Sequence, residues 1–275
     1  MNVASLYQQI KLKESFLCVG LDVDLNKIPP HLLNEKDPIF SFSKGIIDAT
    51  HSFTVAYKPN LAFFEAYGLK GWKAFEKTID YLNKNYPDHF IIADAKRGDI
   101  GNTAGRYAKA FFENFGVDAV TISPYMGRDS IEPFLSYKDK YAVLLALTSN
   151  EGSRDFQFSE DKGVPLYEKV LRLTTKFKNS NKLMYVVGAT KSENLIAIRK
   201  IVPDSFLLIP GVGAQGGNLK EVVQNGINSN CGLLVNSSRG IIYASSGTDF
   251  SSKAAEKAFN LQKEMSEYLK QFKII

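Results

Sequence analysis

Residues 90–115 have the sequence FIIADAKRGDIGNTAGRYAKAFFENF, which contains one complete strand-and-helix unit. The run 90–96 is short and almost continuously apolar up to its charged end, a pattern typical of a strand in a parallel sheet covered on both faces. Residues 103–115 follow with apolar side chains at helical spacing. The segment therefore predicts a β-strand that is followed closely by an α-helix.

The same alternation continues in both directions along the chain. Runs rich in β-branched or aromatic residues are candidate strands, and there are eight of them: 16–21, 54–58, 90–96, 119–123, 141–147, 183–187, 206–210 and 232–236. Segments with helical character lie between or after them: 61–83, 103–115, 166–177, 192–201, 219–225 and a closing amphipathic segment, 254–272. Eight strands alternating with helices predict the α/β class and a (β/α)8 TIM barrel.

Length and composition fit one such domain. The chain has 275 residues, and (β/α)8 barrels commonly form a single domain of roughly 200–250 residues. Hydrophobic residues make up 44% and charged residues 23%, which excludes a disordered or collagen-like chain. No linker rich in Pro, Gly or Ser divides the sequence. We therefore expect residues 1–275 to form one barrel domain.

Charge and hydropathy limit the classes of partner. The net charge of +5 is spread along the chain, without the basic run that would indicate nucleic-acid binding. The longest apolar runs, such as 141–147, are far shorter than the ~18 residues of a membrane span. Residues 1–16 lack the apolar core of a secretory signal. We expect a cytoplasmic protein that binds neither nucleic acid nor membrane, with Cys18 and Cys231 as buried free thiols.

The densest group of charged residues is Asp94-Ala-Lys96-Arg-Gly-Asp99, at the end of the third predicted strand. Residues two apart in a strand share a face, so Asp94 and Lys96 are expected to point together into the mouth of the barrel. Burying such charges is costly unless they pair, and the order acid, base, acid provides the pairs. Asp99 comes at the predicted start of the next helix, where a role as helix N-cap is the alternative.

A second lysine, Lys58, ends the second predicted strand and would point toward the same mouth, although a salt bridge to a surface acid is the alternative. Flanking carboxylates favour the charged form of Lys96, which argues against Schiff-base chemistry because that requires a neutral amine. A fixed ammonium beside carboxylates can instead stabilise a carbanion and give it a proton. His31, His51 and His89 are scattered, so the sequence predicts no metal site.

Glycine-rich and serine-containing segments follow the seventh and eighth predicted strands: Pro210-Gly-Val-Gly-Ala-Gln215-Gly-Gly and Asn236-Ser-Ser-Arg239-Gly. Loops at these places in barrels frequently bind phosphate, since glycines let backbone N–H groups approach an anion and an arginine binds it with two parallel hydrogen bonds. The candidate phosphate ligands are Gly211, Gly213, Gln215, Ser238 and Arg239. The glycines also spell G-x-G-x-x-G, but no acid ends a second strand about 20 residues later, so a dinucleotide site is not expected.

Polar residues end two further predicted strands. Asp22 follows the first strand and is a candidate ligand for a sugar hydroxyl, and Thr148 or Ser149 follows the fifth and is a candidate ligand for a planar ring. The long connections 23–42 and 150–165 follow strands on the face where catalytic loops lie. We expect them to be lids or interface arms, with plain surface loops as the alternative.

In their order, these motifs resemble the orotidine 5′-phosphate decarboxylase family, in particular its longer-loop (type 2) subgroup. The resemblance covers nearly the whole chain. It rests on Gly20-Leu-Asp22, Lys58-Pro-Asn60, Asp94-Ala-Lys96-Arg-Gly-Asp99-Ile-Gly-Asn-Thr103, Leu147-Thr-Ser149-Asn, Pro210-Gly-Val-Gly-Ala-Gln215 and Asn236-Ser-Ser-Arg239-Gly. Within that ordered set the Asp-x-Lys-x-x-Asp element is highly specific.

The resemblance implies decarboxylation of orotidine 5′-phosphate to UMP without a cofactor, as the last step of de novo pyrimidine nucleotide biosynthesis. It implies that Lys96 protonates C6 of the pyrimidine and that Lys58, Asp94 and Asp99 complete a charged tetrad. It also implies a homodimer in which each site borrows residues of the neighbouring chain. The substrate-binding residues that it implies are Asp22 and Asn60 at the ribose, Thr148 or Ser149 at the pyrimidine, Gln215 and Arg239 at the phosphate, and Pro210. Ile100 and Thr103 are also implied to bind substrate, and with Asp99 they would come from the neighbour.

Two other functions stay open at this point. A related barrel decarboxylase that acts on a sugar keto-acid phosphate shares the Asp-x-Lys-x-x-Asp element but would require magnesium. A catalytically silent barrel would only bind a nucleotide phosphate. Release of CO2 separates the silent barrel from the enzymes, and activity after exhaustive chelation separates the two enzymes.

Overall fold

The computed structural model describes residues 1–212 and 217–275. Parallel strands form a closed barrel: β1 (Leu17–Leu21), β2 (Ala56–Pro59), β3 (Phe90–Arg97), β4 (Ala119–Ile122), β5 (Tyr141–Leu147), β6 (Leu183–Val187), β7 (Leu207–Pro210) and β8 (Leu233–Ser237). Each strand pairs with the next one along the chain, and β8 closes the barrel by pairing with β1, where Leu17 lies opposite Val235. The predicted (β/α)8 barrel is confirmed.

Helices connect and cover these strands. Their bounds are α1 (Val3–Lys13), α2 (Pro38–Thr50), α3 (Leu61–Glu65), α4 (Gly68–Asn85), α5 (Gly101–Lys109), α6 (Glu132–Leu135), α7 (Ser153–Phe156), α8 (Leu166–Thr174), α9 (Leu195–Ile201), α10 (Leu219–Gly226), α11 (Arg239–Ile242) and α12 (Phe250–Gln271). A π-helical turn, Ala110–Asn114, extends α5. Short 3-10 turns cover Pro30–Asn34, Arg128–Ser130, Ser180–Lys182 and Ala189–Asn194. Within the described residues, no helix has the length and apolar character needed to cross a bilayer.

Two predicted segments differ from the structure. The helix predicted over 61–83 is divided into α3 and α4, since Gly68 adopts a φ of +60°, which interrupts a helix. The two helices then pack so closely that a Cβ on Gly71 would lie 1.7 Å from the carbonyl oxygen of Phe64. The connection predicted over 23–42 is shorter than expected because α2 begins at Pro38, with Asp37 as its N-cap.

The two ends of the barrel differ in chemistry. At the amino-terminal end, α1 packs Leu6 and Ile10 against the core, and the Lys13 ammonium donates hydrogen bonds to the carbonyls of His51 (2.8 Å) and Thr54 (2.9 Å). The carboxyl ends of the strands carry the charged side chains of the candidate site. The two cysteines are free and buried as predicted, and burial raises the pKa of both thiols to about 12.

Candidate active site

The carboxylate of Asp94 stands at the centre of the charged group. Asp94 and Lys96 lie on β3, and Lys58 lies on the neighbouring β2. The Lys58 ammonium is 2.7 Å from Oδ2 of Asp94, and the Lys96 ammonium is 2.6 Å from Oδ1. Lys58 is only 4% exposed, so the alternative of a surface salt bridge for this residue is wrong.

Electrostatics keep the buried pair charged. Burial acts to lower the pKa of Lys58, but the negative charges of Asp94 and Asp22 outweigh it, and the pKa is raised. For Asp94, burial acts to raise the pKa, but the ammonium groups of Lys58 and Lys96 lower it well below its ordinary value. The barrel mouth therefore holds a buried carboxylate that stays ionised beside an ammonium that stays protonated.

The backbone of β3 is irregular where it carries Lys96. Ala93 pairs with Val120 and Arg97 with Ile122, so β3 advances four residues while β4 advances two. Lys96 lies within this bulge with a φ of +46°, which non-glycine residues rarely adopt. Its N–H donates to Oγ1 of Thr121 (2.9 Å), and that hydroxyl donates to Oδ1 of Asp94 (3.0 Å).

The fourth member of the predicted tetrad lies apart from the other three. The carboxylate of Asp99 accepts a hydrogen bond from the N–H of Ile100 (2.8 Å), and among the described residues it forms no ion pair with Lys96. Asp99 is not the N-cap of α5, because the turn runs one residue further and Ile100 occupies that position. Ile100 is 49% exposed, and Thr103 in the first turn of α5 is exposed as well.

A cavity of about 160 Å³ opens beside the Lys58–Asp94 pair. The predicted site residues that line it are Asp22, Lys58, Asn60, Asp94, Pro210, Gly211, Ser238 and Arg239. Val212, Asn236 and Ser237 also line it and were missed, although a polar asparagine at the end of the apolar run Leu233–Val235 is a usable signal. Gly213 and Gln215 lie outside the described residues. Asp99, Ile100, Thr103, Thr148 and Ser149 do not line this cavity, and neither does Lys96, whose ammonium contacts the lining residue Asp94.

Buried polar atoms without partners face this region. Oδ1 of Asp22 and Oδ1 of Asn236 have no hydrogen-bond partner within the described part of the chain. Buried polar atoms are nearly always paired, so such atoms in a cavity indicate contacts with a polar ligand. The amide oxygen of Asn60 is already in use, since it accepts from the N–H of Ala62 (3.3 Å) as the N-cap of α3.

Gly211, directly after β7, has a backbone geometry that favours glycine. Gly211 adopts a φ of +97°, and its carbonyl accepts a hydrogen bond from the N–H of Gly217 (3.1 Å). On the neighbouring strand end, Arg239 is the exposed first residue of α11 and follows Ser238. The described ends of the two segments line the same cavity, and the shared phosphate site stays a prediction.

The polar residues after β5 have different surroundings. Thr148 is bound to the connection that follows it: its N–H donates to Oε1 of Gln157 (2.8 Å), its hydroxyl donates to Oδ1 of Asn150 (2.6 Å) and accepts from Nε2 of Gln157 (2.8 Å). The carbonyl of Ser149 accepts from the hydroxyl of Thr190 (3.4 Å). Thr148 thus holds the 150–165 connection against the end of β5.

Over residues 1–212 and 217–275, no group of three or more His, Cys, Asp or Glu side chains is arranged to hold a metal ion. The charged groups in direct contact at the site are two lysines and one carboxylate.

Comparison with known proteins identifies the family. The family model described as "Orotidine 5′-phosphate decarboxylase / HUMPS family" matches residues 15–253. The chain belongs to the orotidine 5′-phosphate decarboxylase / HUMPS family. An orotidine 5′-phosphate decarboxylase of Flavobacterium johnsoniae is 62% identical over 269 residues, which are 98% of each chain. One from Bacteroides fragilis is 59% identical over 271 residues, which cover 98% of this chain and 99% of the relative.

Solved structures agree with this assignment. The OMP decarboxylase of Leishmania donovani superposes with a TM-score of 0.79 at 34% identity, covering 96% of this chain and 100% of the other. The orotidine 5′-monophosphate decarboxylase of Plasmodium berghei superposes with a TM-score of 0.82 at 25% identity, covering 98% and 99%. The resemblance to this family inferred from the motifs is confirmed, whereas the longer-loop (type 2) subgroup stays a prediction.

Proposed function

We propose that the chain decarboxylates orotidine 5′-phosphate to UMP with Lys96 as the proton donor to C6 of the pyrimidine. Membership of the family and the high identity to named decarboxylases support the overall reaction. The observation that carries the mechanism is the pair of lysines on one buried carboxylate, with 2.6 Å and 2.7 Å between ammonium and oxygen atoms.

The reaction places specific demands on this arrangement. The bond between C6 and the carboxylate carbon breaks, CO2 leaves, and the electron pair stays on C6 in the plane of the ring, where the π system cannot delocalise it. Fixed positive charges stabilise such an anion far better in a preorganised site than in water. Lys96 then gives one N–H proton to C6 and is protonated again from solvent, while Lys58 remains charged beside Asp94.

Asp94 fixes the positions of both cations. It is 8% exposed and accepts from both ammonium groups and from the Thr121 hydroxyl. Because these donors balance its negative charge, the Asp94 carboxylate stays ionised and can orient the Lys96 ammonium. This chemistry uses no metal ion and no organic cofactor.

The rest of the substrate is assigned to the surrounding cavity residues. Asp22, with its unpaired buried oxygen, and Asn60 are proposed to contact the ribose. Gly211, Ser238 and Arg239 are proposed to bind the phosphate together with Gly213 and Gln215, and Pro210 to contact the substrate beside them. The pyrimidine is assigned to Thr148 or Ser149 at the end of β5, where the hydroxyl of Thr148 is bound to Asn150 and Gln157.

We further propose that residues 1–275 form one catalytic domain and that two chains pair to complete each site. Asp99, Ile100 and Thr103 lie outside the cavity of their own chain and on its surface. Large apolar side chains are exposed on this loop and on the connection after β4, which meet where the N–H of Ser123 donates to the carbonyl of Arg97: Ile100 (49%), Met126 (49%) and Tyr125 (84%). An exposed apolar surface next to site residues that lie outside the cavity of their own chain is what a shared interface requires. The cytoplasmic location stays a prediction.

The test is an assay of the purified, chelator-treated protein with orotidine 5′-phosphate, following the loss of ring absorbance and the formation of UMP. We expect full activity after chelation, and abolition by Lys96→Ala but not by Lys200→Ala, which changes an exposed lysine of α9. Activity that vanishes on chelation and returns with Mg²⁺ would support the magnesium-dependent alternative. Activity unchanged in Lys96→Ala would contradict the proposed mechanism.

A further inference from the structure

We propose that Thr121 is a positioning residue for the reaction: its hydroxyl holds the main chain of Lys96 and the carboxylate of Asp94 in the arrangement that proton transfer requires. The inference rests on the proposed role of Lys96 as proton donor. Thr121 does not line the cavity, so its effect must pass through the residues that it touches.

The position of Thr121 follows from the irregular pairing of β3 and β4. Between the pairs Ala93 with Val120 and Arg97 with Ile122, Thr121 faces a stretch of β3 that has two more residues than β4 has. Its side chain is 1% exposed and lies against this bulge. The N–H of Lys96 therefore donates to a side-chain hydroxyl, at 2.9 Å.

The hydroxyl completes a closed ring of hydrogen bonds. A threonine hydroxyl has one proton, and since it accepts from the N–H of Lys96, that proton is directed to Oδ1 of Asp94 at 3.0 Å. The same carboxylate oxygen accepts from the Lys96 ammonium at 2.6 Å. Both ends of Lys96, its main chain and its ammonium, are thus joined to one oxygen atom through Thr121 and Asp94.

Packing alone does not hold Lys96 in place. Its side chain is 52% exposed, and its φ of +46° is a conformation that persists only where the surroundings impose it. Without the Thr121 hydroxyl, the backbone of Lys96 loses its partner within the bulge and the carboxylate loses one of its donors. The ammonium then loses the geometry for proton transfer to C6, although the contacts to ribose and phosphate are unchanged.

The test compares Thr121→Val, which removes the hydroxyl at nearly constant shape, with Thr121→Ser, which keeps it. We expect kcat of Thr121→Val to fall by roughly 10- to 100-fold, as for small displacements of a reacting group, with KM and the Kd for UMP within about twofold of wild type. Thr121→Ser should regain kcat to within about threefold. Thr78→Val is the matched control, because Thr78 is equally buried and its hydroxyl donates to the carbonyl of Ala74 (2.7 Å) on α4, away from the site.

Thr121→Cys serves if the valine variant fails to fold, because a thiol is a weaker donor and acceptor of similar size. Turnover should then follow the order threonine, serine, cysteine. The inference is overturned if Thr121→Val keeps kcat within twofold of wild type, or if the control Thr78→Val lowers kcat by as much as Thr121→Val does. Lys96→Ala run in parallel separates the two proposals: if it retains turnover, the proposed function fails, and if it is inactive while Thr121→Val equals wild type, only the role of Thr121 fails.

Discussion

Lys58 and Lys96 carry the same charge and pair with the same carboxylate, but their surroundings give them different roles. Lys58 is enclosed, and its raised pKa makes it a permanent cation that balances Asp94. The Lys96 side chain is half exposed at the open end of the barrel, where a substrate can reach it. The buried lysine therefore supports the structure of the site, and the accessible one is free to move a proton.

This difference predicts opposite effects of two substitutions. Lys96→Ala should lower kcat by at least about 100-fold, the range of a lost general acid, but lower the free energy of unfolding by less than about 1 kcal/mol, because its ion pair is half exposed. Lys58→Met should lower the free energy of unfolding by about 3 kcal/mol, since it leaves Asp94 buried with one partner fewer. Urea unfolding and steady-state kinetics measure both, and equal losses of stability in the two variants would contradict the distinction.

Arg239 predicts a dependence on the phosphate of the substrate. The phosphate is remote from the bond that breaks, so its binding energy serves to hold the substrate and the closing loops in the reactive arrangement. Arg239→Ala should therefore greatly reduce kcat/KM for orotidine 5′-phosphate but hardly alter that for the nucleoside orotidine. Competition of the two substrates against each enzyme measures the effect, and equal losses on both would argue against a phosphate contact.

Among the secondary-structure elements, those at the amino-terminal end of the barrel enclose a group of titratable side chains. His89, just before β3, has Nε2 at 2.6 Å from the Lys13 ammonium of α1 and at 2.9 Å from the carbonyl of His51. Burial, and secondly the charge of Lys13, lower the pKa of His89 to about 4. Burial also lowers the pKa of Lys13 to about 8. Compared with the unfolded chain, the folded chain therefore disfavours the protonated forms of both side chains.

This arrangement predicts a pH dependence of stability. Between pH 6.5, the ordinary pKa of histidine, and about 4, the unfolded chain binds a proton at His89 that the folded chain does not. The contribution of His89 to the free energy of unfolding should thus be complete above pH 6.5. It should be lost as the pH falls toward 4, which lowers the free energy of unfolding by about 3 kcal/mol. His89→Gln should flatten that decrease, whereas His31→Gln, which changes an exposed histidine, should not. Identical pH profiles for wild type and His89→Gln would contradict the assignment.

The sequence predicts the elements unequally, and for physical reasons. All eight strands lie within two residues of their predicted bounds, because a strand buried on both faces leaves a continuous apolar run. The break between α3 and α4 was missed, since it depends on a positive φ at Gly68 and on close packing at Gly71. The bulge at Lys96 and the role of Thr121 were missed as well, because one threonine in an apolar strand is ordinary β-sheet composition.

For the molecule as a whole, the residues of the site divide into two sets. The side chains of Lys58, Asp94 and Lys96 are in contact at the mouth of the barrel. They come together because the carboxyl ends of parallel strands lie at the same end of the barrel. Asp99 was expected in the same group by sequence proximity, but it lies beyond the turn on the surface of its own chain. The sequence pattern of one chain does not show that a surface carboxylate faces a second chain. The shared site was therefore predicted from the motif resemblance.

Shared sites predict recovery of activity on mixing two inactive variants. A chain with Lys96→Ala keeps Asp99, and a chain with Asp99→Asn keeps Lys96, so a mixed dimer contains one complete site. After random exchange of equal amounts of subunits, activity should reach about a quarter of wild type, because half of the dimers are mixed and each has one working site. Each variant alone after the same treatment is the control. Verified exchange without recovered activity would show that each site is built from a single chain.

A crystal structure of the protein with bound UMP would show the contact from which the mechanism follows. We predict that Nζ of Lys96 lies within about 3.5 Å of C6 of the pyrimidine, as a reacting pair must, while its ion pair with Asp94 is kept. A Lys96 ammonium directed into solvent, separated from both Asp94 and the pyrimidine, would contradict its role as the proton donor.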